Sequence, residues 1–68
     1  MTNKQRETLI RNALGHYRRA KQGNNKREIQ LAINDMENTF IAVSLWRVKG
    51  TEELRQTILE AKNTFGVI

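Results

Sequence analysis

Lys4, Arg11 and Arg18 recur every seven residues. On a helix turning 100° per residue they fall at about 220°, 200° and 180°, a single ridge opposite the apolar side, and Arg19 at about 280° widens it. A second group, Lys21, Lys26 and Arg27, straddles the dipeptide Gly23-Asn24. The chemistry open to such side chains is electrostatic. Arg grips a phosphate with two donors, and Lys acts as a point charge. Eight of the twelve basic residues lie in the first 27 beside one acid, Glu7, so this stretch carries +7. Residues 28–68 hold four bases and six acids, and the two parts give the net +5. The split predicts an early segment that attracts polyanions and a later one that does not. Free amides at the start of a second helix, next to Lys26 and Arg27, would add a seat for an anion.

Covalent chemistry has no comparable support. There is one histidine and no cysteine, so neither a Ser-His-acid set, a Cys-His pair nor a thiolate metal site can be assembled. The four glycines, at 15, 23, 50 and 66, are too scattered for a phosphate-cradling loop. His16 lies at the edge of an apolar stripe and reads as a boundary residue. Glu52 and Glu53 are adjacent and diverge on a helix, so they read as first-turn acids that suit the dipole. No catalytic residue, metal, cofactor or small-molecule substrate is expected.

The elements that must position the cations are helical. Thr2 and Gln5 have the spacing of a capping box, and Leu9, Ile10, Ala13, Leu14, Tyr17 and Ala20 fill an arc of about 140°. This predicts a helix over about 2–22, stopped by Gly23 in a left-handed conformation. Glu7 and Arg11 have the spacing of an ordinary supporting pair. Asn25 caps a second helix, about 25–48, with a stripe of Ile29, Ala32, Ile33, Met36, Phe40 and Val43. From 40 to 48 apolar residues point all round the wheel, and Arg47 falls on the core stripe. A strand over the same residues is the alternative, because Phe, Ile, Val and Trp favour one. Thr51 caps a third helix, about 51–64, with Leu54, Ile58, Ala61 and Phe65 as its stripe, and Gly66 ends it. Val67 and Ile68 are apolar enough to dock on a core. The fold class expected is all-α, a single-domain antiparallel three-helix bundle.

A chain of 68 residues buries a marginal core, and without disulfides or metals oligomerisation is the staple left. Leu31, Ile41, Leu45, Trp46, Arg47 and Leu59 form the candidate protein interface, either a homodimer through the second helix or a site for an acidic or apolar partner. The longest near-apolar run, Phe40 to Val48, is too short for a membrane, and the polar start carries no secretory signal, so a cytoplasmic protein is expected.

Two functions follow as expectations. The first is nucleic-acid or other polyanion binding through Lys4, Arg11, Arg18, Arg19, Lys21, Lys26 and Arg27, largely without sequence preference. A helix-turn-helix reading is weaker, since the third helix offers Arg55 and Lys62 beside Glu52, Glu53 and Glu60. The second is a protein-binding regulator or inhibitor anchored by Trp46. The small size and the lack of Pro and Cys fit an accessory protein of phage or mobile-element type.

Overall fold

The computed structural model describes residues 1–65. It contains three helices, α1 (Asn3–Gly23), α2 (Lys26–Val43) and α3 (Thr51–Phe65), and no strand among the described residues. The readings that fall on Gly66, Val67 and Ile68 lie outside the described residues.

Helix α1 starts where local hydrogen bonding dictates. The Thr2 hydroxyl accepts from the Gln5 amide at 3.1 Å, and the Gln5 side chain accepts from the Thr2 amide at 2.8 Å. Two amides that helix geometry leaves unpaired are thus satisfied. The far end is closed by Asn24, not by Gly23. Asn24 adopts φ 53°, ψ 34° and donates its amide to the Lys21 carbonyl. Asparagine tolerates that left-handed region better than most residues, so Gly23 stays inside the helix. Asn25 then opens α2, its side chain accepting from the amides of Arg27 and Glu28.

Helix α2 ends at Val43, not near 48. Residues 44–50 form turns held by Trp46 N–H to Val43 O (2.9 Å), Val48 N–H to Trp46 O (2.9 Å) and Thr51 N–H to Val48 O (3.2 Å). The reason is legible on the wheel. A continued helix would aim Arg47 into the core stripe and swing Val48 about 110° away from it. Burying an unpaired guanidinium costs several kcal/mol. Breaking the helix reverses both placements: Arg47 is exposed and Val48 is buried. Residues 40–43 are therefore helix, and 44–48 are neither helix nor strand.

Thr51 does not cap α3 in the expected way. Its hydroxyl donates back to the Val48 carbonyl at 2.8 Å, and the Gly50 carbonyl accepts the first helical bond, from Leu54, at 2.9 Å. Gly50 has φ 96°, and a Cβ placed there would stand 3.3 Å from Ile10 Cγ2. Both facts favour glycine. Gly50→Ala is expected to destabilise the protein by about 1–3 kcal/mol, read as a lowered denaturant midpoint with an unchanged slope.

The core gathers one stripe from each helix. Ile10, Ala13, Tyr17 and Ala20 of α1 meet Ile29, Ala32, Ile33, Met36 and Val43 of α2 and Leu54, Ile58 and Ala61 of α3. Val48 joins from the turn, while Leu14, Phe40 and Phe65 pack at the margin. Leu9, at the edge of the predicted arc, is exposed. Tyr17 meets Phe65 edge-to-face at 6.4 Å, which ties α1 to α3. The molecule measures 33 × 18 × 14 Å.

Candidate functional site

All seven cations singled out in the sequence are exposed. Lys4, Arg11 and Arg18 follow one another along α1 at intervals of about 10 Å, the rise of seven helical residues. Among the described residues the ion pairs join His16 to Glu28 and Asp35, Arg55 to Glu52, and Lys62 to Glu37. None of them uses Lys4, Arg11, Arg18, Arg19, Lys21, Lys26 or Arg27. The expected Glu7–Arg11 pair is not among them. Lys21 Nζ lies 5.2 Å from the centre of the Tyr17 ring, and the other six cations are in no ion pair or cation–π contact among the described residues.

The α1 ridge faces α3 and the 44–50 turns across two clefts. The larger, about 320 Å³, is lined by Arg11, Arg18 and Lys49 together with Glu7 and Glu53. The smaller, about 190 Å³, includes Arg18, Lys21, Glu53 and Glu60. The carboxylates temper the field there, yet none comes within ion-pair distance of a ridge cation. Lys49 is the addition that spacing did not reveal. It sits 31 residues beyond Arg18 in sequence, and only the turn geometry brings it to the same cleft.

The anion seat expected at the start of α2 is closed. Asn25 Oδ1 already accepts from the Arg27 amide at 3.0 Å and the Glu28 amide at 3.2 Å, and the Ile29 amide is bonded to the Asn25 carbonyl. An asparagine cap and an incoming phosphate compete for the same donors. What Lys26 and Arg27 leave open to an anion is chiefly their side chains.

Arg6 is the candidate residue that the ridge pattern missed. It is 9% exposed, and its guanidinium lies 3.8 Å from the centre of the Trp46 ring. Its Nη1 donates to Asn3 Oδ1 at 2.8 Å. A signal existed, because on the wheel Arg6 stands at about 60°, near the middle of the apolar arc. At the N-terminal end of α1 that arc is covered by Trp46 rather than by aliphatic core. The indole face compensates part of the cost of burying the cation.

The residues of the predicted protein interface do not all line one groove. Ile41 and Leu59 line an apolar groove of about 210 Å³ with Phe40 and Ile58, flanked by Glu37 and Arg55. Leu31, Leu45, Trp46 and Arg47 are not part of it. Leu31 is displaced from Ile41 by about 15 Å along α2. Leu45 is 91% exposed and Ile41 72%. Arg47, expected on the core stripe and in need of a partner's acid, is exposed because α2 has already ended.

His16 clips α1 to α2, with Nδ1 3.1 Å from Asp35 Oδ2 and Nε2 4.0 Å from Glu28 Oε2. Hydrogen bonding from Arg55, then from Gln56, holds the Glu52 carboxyl below the usual carboxylate range. Burial, reinforced by Glu60, pushes the Tyr17 phenol above its ordinary value and keeps it neutral. Among the described residues no group of three or more His, Cys, Asp or Glu side chains could hold a metal ion. No helix among them is long and apolar enough to cross a membrane. The chain matches no protein family, no curated protein and no solved structure.

Proposed function

We propose that this protein binds nucleic acid, or a polyanion of similar charge density, through the exposed ridge of α1 and the α1–α2 turn. The observation that carries this reading is the freedom of the seven cations. All are exposed and none is in an ion pair among the described residues, and only Lys21 among the seven lies over an aromatic ring, that of Tyr17. Contacts of this kind go to phosphates, so little sequence preference is expected. Lys49 extends the surface across the larger cleft. The protein acts in the cytoplasm on this reading, as a binding module without catalysis.

The scaffold we infer is an antiparallel bundle. Two close contacts support it. His16 of α1 reaches Asp35 of α2, and Glu37 of α2 reaches Lys62 of α3 at 2.6 Å. Each pair joins residues set back by comparable stretches on either side of the connection between their helices, as in two hairpins of helices.

A second reading has its own support in Ile41, Leu45 and Leu59, apolar side chains left exposed among the described residues. They suit a second copy or a larger protein partner, which the protein would regulate or inhibit. One titration separates the two readings. Duplex and single-stranded oligonucleotides are added at 50 mM and 200 mM salt. Tight binding at the lower concentration that weakens steeply at the higher supports the first reading. No binding at 50 mM salt, together with sedimentation as a dimer, supports the second.

A further inference from the structure

The geometry around Trp46 points to a stacking platform for an unpaired nucleobase, which makes single-stranded nucleic acid the ligand class of the surface. This rests on the polyanion-binding reading above and adds to it an interaction that a duplex cannot make.

Trp46 lies in the turns between α2 and α3, and one face of its indole is taken by the Arg6 guanidinium at 3.8 Å. The side chain is nevertheless 49% exposed. With the guanidinium over one face, the opposite face is the one on which a base would stack. Arg6 is held in turn by Asn3 Oδ1 at 2.8 Å. The turn itself is pinned by the Trp46 amide to Val43 and by the Val48 amide to the Trp46 carbonyl, both at 2.9 Å. The indole is thus fixed from below by a buried cation and from its own backbone by two hydrogen bonds. A flat aromatic surface ordered before the ligand arrives loses little conformational freedom on binding.

The charge around the ring fits the same ligand. Arg47 and Lys49 flank Trp46 closely in the chain, and both are exposed. Lys49 also lines the cleft that holds Arg11 and Arg18. Arg6 has no carboxylate partner among the described residues. A strand whose base lies on Trp46 therefore finds cations for its adjoining phosphates and continues toward the α1 ridge. An aromatic platform beside a basic groove is what single strands require, because every base offers a π-face and the backbone offers charge. In a duplex those faces are hidden within the stack, and the protruding indole gains nothing.

The chain has one tryptophan, so its emission reports this site alone. Protein is titrated with oligo-dT, with oligo-rU and with a duplex of equal length, at low salt, while tryptophan fluorescence and anisotropy of labelled strands are followed. The single strands should quench the indole at saturation, and the duplex should bind through charge without comparable quenching. Trp46→Ala should weaken oligo-dT binding by about 5- to 150-fold, the usual worth of one stacked base, and leave duplex affinity unchanged. Trp46→Phe should restore most of the loss, with circular dichroism confirming helix content in both variants. Response of only one of the two strands, dT or rU, narrows the ligand to DNA or RNA and upholds the platform. If single strands and duplex bind while indole emission stays constant, the stacking proposal is overturned and the polyanion reading survives. If neither binds, both fall. The fluorescence arm uses the unaltered chain, so a variant that fails to fold does not remove the test.

Discussion

Exchanging Arg11, Arg18 and Arg19 for Gln together is expected to weaken nucleic-acid binding by about 100- to 1,000-fold near 0.1 M salt, since each phosphate left without its cation accounts for close to one decade there. The log–log salt dependence should become shallower by about 2.7 on duplex DNA and about 2.1 on a single strand. All three side chains are exposed, and none belongs to an ion pair among the described residues. Their removal therefore strands no buried acid, and the fold should tolerate it. The measurement is fluorescence anisotropy across a salt series, with circular dichroism as the control. A parallel variant, Arg55→Gln, alters a cation already engaged by Glu52 on α3 and should leave the slope unchanged. Equal losses for the two variants would mean that overall charge, not the α1 ridge, governs binding.

Leu54→Ala is expected to give the largest stability loss of any single exchange in α3. Leu54 is completely buried. Truncating a side chain in such a site costs about 2–5 kcal/mol, from the forfeited transfer energy and from the cavity left behind. A domain of this length has a total stability of about 3–10 kcal/mol. The loss is a large share of that total, so the variant should unfold at a markedly lower denaturant concentration. Helix α3 is held to the core mainly by Leu54, Ile58 and Ala61, so little else can compensate. Denaturant titration followed by ellipticity checks this. A loss below about 1 kcal/mol, under the usual range for such a truncation, would show that α3 is not integral to the cooperative unit. Leu59→Ala, on the same helix and half exposed, serves as the comparison and should cost little.

What the sequence discloses about this protein is mostly what short range decides. Thr2 with Gln5, and Asn25 with the amides that follow it, are legible because capping involves residues two or three positions apart. The three apolar stripes are legible because each helix face is periodic. The ridge of Lys4, Arg11 and Arg18 follows from the same periodicity. What escapes depends on distant parts of the chain. Nothing near Lys49 announces that it will share a cleft with Arg11. Arg47 on a core stripe signals the end of α2, but within the sequence it looks equally like a request for an outside acid. The chain meets the conflict by stopping the helix. Arg6 stands within the apolar arc for a related reason, and its partner, Trp46, lies 40 residues away. In both cases a charge in an apolar register marks a place where tertiary structure overrides the repeat.

The two connections, Asn24-Asn25 and residues 44–50, join each helix to the one it meets next. Most of the architecture is therefore assembled from segments that are near neighbours along the backbone. Chains of this kind close few long loops on the way to the native state, and helical bundles with such low contact order fold in about microseconds to milliseconds. With no disulfide to reshuffle and no proline to isomerise, no slow covalent step stands in the path. Thermal unfolding of this molecule should accordingly reverse on cooling.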